Sequence, residues 1–345
     1  MPGIGYAFIS AYLKGEESKI LSSEHLNSLT KAENIQEVVD SVRDTDIGGY
    51  LEGLDISTFD DLDEQLWIYF NDCLTRIVWF QNVPKAVRRI LQAYIYKYDI
   101  LNIKTALQNI LSGEKTKGIA AGIIHEKGLL DDLINAENLD EVVSLLNSVR
   151  LGEYANVLEG YRLEEGFKRE VLTDTGLEEV YYSSLVDITT GINDGDLLSK
   201  VFQTSLDMAN LQIILRAVVN ESDSNASGQT ISGGYLLSDE QIRDMLSIKL
   251  QDIPVRLEYP VYRTAIDEII AGYEKDGNIS IINEKIEKLK FTILQEVLSP
   301  KIMSPAVIIW YVILKEIEVR NIRLILKAVM DNIPLEEIRD YLVIA

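Results

Sequence analysis

A nine-residue pattern occurs three times in this chain at nearly equal intervals. It consists of an acid, two residues, Asn, an aliphatic residue, three residues and Leu, and its copies are DILNIKTAL, DMANLQIIL and EVRNIRLIL. The acids are Asp99, Asp207 and Glu318. The asparagines are Asn102, Asn210 and Asn321, which are 108 and 111 residues apart. Such a period indicates three related units, each about the size of one domain.

A second repeat supports the first. The segment AENIQEVV at residues 32–39 matches AENLDEVV at residues 136–143, whereas the expected third copy, SDEQIRDML, shares only a helical character with them. The polar stretch at residues 222–234, rich in Ser and Gly, is the predicted linker before the last unit. We therefore predict three sequence units, residues 1–113, 114–225 and 226–345.

Apolar residues recur at helical spacing along almost the whole chain. After Pro84, for example, Val87, Ile90 and Leu91 lie on one face of a helix. No stretch of the sequence has the alternation of a half-buried strand, so we predict an all-α fold. The longest strongly apolar run, residues 306–314, is far shorter than the roughly 20 residues that cross a bilayer. We expect a buried helix there and no membrane span.

The repeated motif has two interpretations. An acid and an Asn three residues apart share one face of a helix, and the aliphatic residue and Leu that follow place this face beside the core. Because Asn is a poor helix former, three equivalent copies need a reason, and the favoured one is that a buried Asn orders the packing within or between units. The alternative is a surface that binds a partner through charged residues, namely Asp99, Asp207, Arg216, Glu318, Arg323 and Lys327.

The charge of the chain excludes several classes of partner. There are 33 Lys and Arg residues against 55 Asp and Glu, a net charge of -22. This balance argues against a nucleic-acid partner and against direct adhesion to anionic lipid. Residues 113–225 alone carry 9 basic and 21 acidic side chains. This acidic middle third either keeps the protein soluble or binds a basic partner.

Residues that could support catalysis are sparse. The sequence lacks a phosphate-binding Gly-rich loop and the HExxH pattern, and His25 and His125 are far apart. With Cys73 as the single cysteine, we expect no metal, no cofactor, no enzymatic activity and a reducing compartment. Residues 1–20 lack the basic start and the long apolar stretch of a signal peptide, which favours a cytoplasmic location.

Four segments resemble one known family. They are YDILNIKTAL, LDMANLQIILRA and KEIEVRNIRLILKA, together with GYAFISAYLKGEESKIL near the start. The family is the C subunit of the archaeal and bacterial A/V-type rotary ATPases, which is related to the d subunit of the eukaryotic vacuolar enzyme. The resemblance covers essentially the whole chain. The chain departs from the family pattern at residues 11–20, which are poorer in Arg, and at Gln108, where the other two copies of the motif have a basic residue.

This resemblance implies a fold and a role. The fold would be all-α, with three similar lobes around a pseudo-three-fold axis that form a funnel with a central cavity. The role would be that of a non-catalytic rotor subunit, peripheral to the membrane on its cytoplasmic side. Its partners would be the central-shaft subunits, which insert into the funnel, and the proteolipid ring. The protein would transmit torque between them for ion-coupled ATP synthesis or hydrolysis.

Composition and repeat alone also fit another class of protein. A free-standing helical-repeat scaffold that binds a basic protein would share both features. An enzyme with acidic catalytic residues is disfavoured, because the sequence shows no clustered site. A deep pocket that holds carboxyl groups with strongly shifted pKa values would restore the enzyme hypothesis.

Overall fold

The described part of the chain consists of helices and their connections. This computed structural model describes residues 2–53, 59–79, 83–160, 162, 166–220 and 229–344. Their α-helices are α1 (Pro2–Glu17), α2 (Ser23–Leu29), α3 (Ile35–Ser41), α4 (Gly48–Leu51), α5 (Phe59–Trp79), α6 (Lys85–Ser112), α7 (Ile123–Glu126), α8 (Leu130–Ile134), α9 (Leu139–Ser148), α10 (Gly152–Gly160), α11 (Gly166–Thr189), α12 (Gly195–Val219), α13 (Asp239–Leu246), α14 (Ile253–Arg256), α15 (Pro260–Asp276), α16 (Ser280–Leu298), α17 (Ala306–Met330) and α18 (Leu335–Ile338). Short 3₁₀ turns occur at Leu250–Asp252 and Arg339–Tyr341. Since these residues contain no strand, the all-α prediction is confirmed.

The chain divides into two compact bodies. The terminal body contains the described residues within Met1–Ile95, Ile119–Glu126 and Gln295–Ala345, and the central body contains those within Tyr96–Gly118 and Lys127–Leu294. The three sequence units stay a prediction. The boundary predicted at 225/226 and most of the linker at 222–234 lie outside the described residues.

Helix α17 forms the core of the terminal body. The run predicted to be a buried helix, residues 306–314, is buried on every side, as expected of a helix that is apolar all round. Helix α17 packs against α1, α3, α5 and α18. The first and last parts of the sequence therefore share one hydrophobic core.

In the central body, α12 plays a similar part. It packs along α11 on one side and against α13 on another, and α9, α10 and α11 pack in succession. Its apolar residues meet those of α13 to α16 in a cluster whose fully buried members include Met208, Leu211, Met245 and Ile266. Tight packing of this kind leaves little freedom to the polar groups that share the core.

The second sequence repeat corresponds to one local structure. Asn34 and Asn138 are the N-caps of α3 and α9, and each side-chain oxygen accepts a hydrogen bond from the backbone N–H three residues later, in Glu37 and in Glu141. The carboxylates of these glutamates accept in return from the backbone N–H of the residue before each cap and from the cap amide. Reciprocal capping of this kind fixes the start of a short helix.

In the described residues, no helix combines the length and apolarity needed to cross a bilayer.

Candidate functional site

The three copies of the repeated motif lie inside the three long helices α6, α12 and α17. Their acids and asparagines are all buried. Asp99, Asn102, Asp207 and Asn210 are fully enclosed, and Glu318 and Asn321 are 2% exposed. A buried polar group without a partner is costly, so the hydrogen bonds of these side chains determine what the motif does.

Asn210 and Asn321 make the same contact in their respective bodies. The Nδ2 atom of Asn210 donates to the carbonyl of Ile231 over 2.8 Å, and its Oδ1 atom accepts from the N–H of the same residue over 2.9 Å. Asn321 pairs in this way with Val343, over 2.7 Å and 3.1 Å. Each asparagine thus clamps the backbone of a residue 21 or 22 positions later in the chain, as a neighbouring strand would.

The acids of the second and third copies accept hydrogen bonds from backbone amides that precede a short helix. The Asp207 oxygens accept from the N–H groups of Leu236 over 2.8 Å and Leu237 over 3.3 Å. Glu318 accepts from the N–H of Leu21 over 3.0 Å. Leu237 and Leu21 occupy the same place, because the next residue in each case is the serine N-cap of a helix with a capping box, Ser238 for α13 and Ser22 for α2.

This equivalence relates SDEQIRDML to a different part of the sequence. By its cap and by the acid that holds it, α13 corresponds to α2 and not to α3, although the sequence repeat aligned it with AENIQEVV. The signal that sequence reasoning missed is the pair of similar segments ILSSEHL and LLSDEQI, each with a Ser three residues before the capping partner.

The first copy differs at the end of its motif. Asn109 stands where the other copies have Ala217 and Ala328, and it forms a clamp of its own. It donates to the carbonyl of Thr116 over 3.0 Å and accepts from the N–H of Thr116 over 2.9 Å. The departure from the pattern at this point therefore places a further buried asparagine on α6.

Around Glu318, the third copy contains a buried ion pair. The ammonium of Lys315 lies 3.0 Å from the carboxylate of Glu318, and both side chains are fully buried. The Tyr69 hydroxyl donates to the same carboxylate over 2.6 Å, and Lys315 donates to Tyr69 over 2.6 Å. Burial above all, and then the charge of Glu318, raises the pKa of Tyr69, so the phenol stays a neutral donor. Sequence reasoning did not predict that Lys315 and Tyr69 contact Glu318. The spacing of three between Lys315 and Glu318 was the available signal.

Asp207, in the second copy, has no such cation. Burial raises the pKa of its carboxyl to about 7, and the backbone N–H groups of Leu236, Leu237 and Tyr235 lower it only in part. Among the residues that the structure describes, neither a lysine nor an arginine forms an ion pair with Asp207. A carboxyl group with this pKa gains and loses its proton near neutral pH.

The basic residues of the motif are at or near the surface. Arg216 is exposed. Arg323 pairs with Asp63 on α5 and lies 5.1 Å from the centre of the Trp67 ring. Lys327 is exposed and pairs with Asp331 over 3.2 Å. Within the second and the third copy, these cations therefore lie apart from the buried motif acid of the same copy.

One cavity of about 320 Å³ lies in the central body. Lys104, Gln108, Leu139, Leu158 and Thr173 are among its lining residues, and Asp207 is not. Lys104 donates to Glu178 over 2.9 Å, so its charge is already neutralised. Within the described residues, no group of three or more His, Cys, Asp or Glu side chains is placed to hold a metal ion.

Comparison with known proteins gives matches along nearly the whole chain. A family model described as ATP synthase (C/AC39) subunit matches residues 9–341. The C subunit of the A-type ATP synthase from Methanocaldococcus jannaschii is 25% identical, over 98% of this chain and 86% of its own length. The proteins of the same name from Pyrococcus abyssi and Methanosphaera stadtmanae are each 23% identical, over 97% and 98% of this chain and 89% and 87% of their own lengths. The resemblance drawn from the sequence is confirmed.

Proposed function

The chain belongs to the ATP synthase (C/AC39) subunit family, and we propose that it is a non-catalytic central-stalk subunit of an A/V-type rotary ATPase. It acts as a socket between the central-shaft subunits and the membrane proteolipid ring, and it transmits torque between them. It stays on the cytoplasmic side of the membrane, held there through the complex. The observation that carries this proposal is the match over residues 9–341, at nearly full length on both sides, to proteins named as the C subunit of the A-type ATP synthase.

The geometry of the motif supports a stiff adaptor. In the second and third copies, a helix-borne asparagine and acid hold two backbone segments through buried hydrogen bonds. We propose that the motif serves packing within and between the sequence units and does not itself contact the partner. Hydrogen bonds between buried polar groups favour one arrangement of their helices, and a body that transmits torque needs such an arrangement.

A helical scaffold for a basic protein is the second candidate, and the charge of the middle third favours it. Residues 113–225 carry a net charge of -12, and several of their acids are exposed on short helices, among them Asp131, Asp132 and Asp140. An acidic face of this kind attracts a basic partner over distances of about 10 Å at moderate salt.

Purification of the tagged full-length chain from gently solubilised native membranes tests both proposals. We expect mass spectrometry to find the proteolipid and the shaft subunits with it. A matched variant, Arg216→Ala, changes an exposed member of the motif and is expected to recover the same partners. The socket proposal fails if the tagged chain replaces the native protein functionally yet recovers neither ring nor shaft. Recovery of one basic protein in their place would establish the scaffold.

A further inference from the structure

Three segments that belong to the terminal body contain no acidic residue. Residues 1–15, 73–95 and 297–315 have neither Asp nor Glu, although the whole chain has 55 of them in 345 residues. The same segments contain seven basic residues, namely Lys14, Arg76, Lys85, Arg88, Arg89, Lys301 and Lys315. The negative net charge of the chain therefore conceals a local excess of positive charge.

The direction of the helices brings parts of these segments together. Asp63 pairs with Arg323, and the Tyr69 hydroxyl donates to Glu318. Higher residue numbers on α5 thus face lower numbers on α17, which means that the two helices are antiparallel. The last residues of α5 therefore lie beside the first residues of α17, and α6 begins six residues after α5 ends.

Helices α6 and α1 point the same way as α17. The Tyr94 hydroxyl donates to Glu316 over 3.0 Å, nine residues after the start of α6 and ten after the start of α17. On α1, the Ser10 hydroxyl accepts from the N–H of Met303, just before α17, over 3.0 Å. The start of α6, the loop before α17 and the first turns of α1 therefore lie at one end of the terminal body.

Three apolar side chains protrude from this end. Phe8 is 67% exposed, Ile302 63% and Met303 49%. The backbone of Met303 has a φ of 57°, a left-handed conformation that costs energy for any residue with a side chain. The bond to Ser10 holds this conformation, so the loop keeps its two apolar side chains directed to solvent.

Three cations at the start of α6 have no ion pair within the described part of the chain. Lys85, Arg88 and Arg89 are all exposed. Their spacing of three and four places them on one helix face, where like charges repel. They also lie near the positive end of the helix dipole, which favours acids. This arrangement does not stabilise the helix, and it indicates an anionic partner.

We use the name basic end for the surface formed by Phe8, Lys85, Arg88, Arg89, Ile302 and Met303. We propose that the basic end is a contact surface for anionic lipid headgroups. Its three cations bind headgroup phosphates, and its three apolar side chains enter the boundary between headgroups and acyl chains. Exposed cations beside protruding apolar side chains are the combination that contacts at a membrane surface use. An acidic protein partner would account for the cations alone.

The acids elsewhere in the chain do not prevent this contact. Exposed charges more than about 10 Å apart are largely screened at 0.1 M salt. Of the acids that border the three segments, Asp72 binds the Tyr50 hydroxyl together with Arg76, and Glu296 is exposed on α16. The contact rests on the proposed function in one respect, since that function places the chain against a membrane. There it adds a lipid contact to the attachment through the complex.

Flotation of the purified full-length chain with vesicles measures the contact. At about 0.1 M salt, we expect binding to vesicles of phosphatidylcholine and phosphatidylglycerol, and much weaker binding to phosphatidylcholine alone. A Lys or Arg near an anionic surface strengthens binding by about fivefold. The variant Lys85→Gln/Arg88→Gln/Arg89→Gln should therefore bind about a hundredfold more weakly.

A matched variant separates the basic end from the net charge. Lys127→Gln/Lys249→Gln/Lys285→Gln removes three exposed cations of the central body and gives the chain the same net charge. It should keep the native affinity. The proposal is overturned if both variants lose the same affinity, or if the native chain fails to prefer the anionic vesicles.

A second pair of variants tests the apolar side chains. Ile302→Ser/Met303→Ser should weaken binding to the anionic vesicles by about tenfold. Val255→Ser/Val261→Ser removes two side chains that are 72% and 60% exposed in the central body, and it should bind as the native chain does. Equal affinity of these two variants would show that no apolar side chain of the basic end enters the membrane.

The vesicles contain no other subunit, so this test is independent of the socket proposal. A chain that recovers ring and shaft from native membranes but does not bind anionic vesicles has no lipid contact, and its function as a socket stands. A chain that binds the vesicles but recovers neither ring nor shaft has the lipid contact without that function. If the native chain does not bind vesicles, and neutralising the three cations removes one acidic protein from those recovered, the basic end binds that protein and the lipid proposal fails.

Discussion

At the scale of single residues, the asparagine clamps are the clearest consequence of the repeated motif. Asn321→Ala leaves the N–H and carbonyl of Val343 without their partner in a buried place. Each such loss costs about 1–3 kcal/mol, so for the two groups we expect a loss of roughly 2–6 kcal/mol in the free energy of unfolding. Asn210→Ala should cost a similar amount.

Denaturant titration of the two variants, with Arg216→Ala as the exposed control from the same motif, measures this loss. Arg216→Ala should stay within about 0.5 kcal/mol of the native chain. Equal stability of all three variants would mean that the clamps add nothing to the fold, and that the asparagines are present for another reason.

Gly234 provides a second prediction at this scale. Gly234→Ala adds a Cβ atom that would meet Asp207 at 2.0 Å, so residues 231–237 have to move away, and the hydrogen bonds from the Leu236 and Leu237 N–H groups to Asp207 are lost. We expect a lower melting temperature and faster exchange at these amides. Gly15→Ala on α1 has open space around the new atom and should stabilise the chain by about 1 kcal/mol, since alanine is the better helix former.

At the scale of elements, the buried pair on α17 joins three parts of the terminal body. Glu318 contacts Tyr69 on α5 and the backbone of Leu21 before α2, and Lys315 neutralises it. Lys315→Met leaves a buried charge without its partner and should cost about 3–5 kcal/mol. The double variant Lys315→Met/Glu318→Gln removes both charges and should recover much of this loss, which chemical denaturation can measure. Additive losses in the double variant would show that the pair is not coupled.

Sequence reasoning predicted the elements better than the contacts between them. Helical spacing and the apolar run at residues 306–314 were sufficient for the all-α fold and the buried helix. The spacing of acid and Asn indicated one shared face beside the core. The partners of Asn321 and Glu318 lie 22 and 297 residues away along the chain. No local sequence pattern includes these partners, because the contacts depend on how segments distant in the chain pack against each other.

Local sequence patterns were also insufficient to predict the charged partners of the buried motif acids. Sequence reasoning grouped Asp207 with Glu318 as equivalent acids, and the positions are equivalent. The three-residue spacing of Lys315 and Glu318 was an available local signal for their pairing, but no local feature indicated that Asp207 would be buried without a cation. That difference depends on the residues that surround each site in three dimensions, such as Tyr262 on α15 and Gly234 in the loop before α13.

At the scale of the whole molecule, the packing of the terminal body predicts how fragments of the chain fold. Helices α1, α3 and α5 all pack against α17, which comes from the other end of the sequence. Residues 1–118 alone lack this helix and would expose the apolar faces that it covers. We expect this fragment to show no cooperative unfolding transition, and we expect co-expression with residues 295–345 to restore one.

Two variants of the second fragment make the test specific. Glu318→Lys places a second ammonium beside Lys315 in a buried site and should prevent recovery, because like charges in the core are strongly unfavourable. Lys327→Glu changes an exposed charge on the same helix and should allow it. Cooperative unfolding of residues 1–118 alone, followed by circular dichroism during heating, would contradict this account. It would show that the first sequence unit folds by itself and that the contact with α17 is an interface between autonomous units.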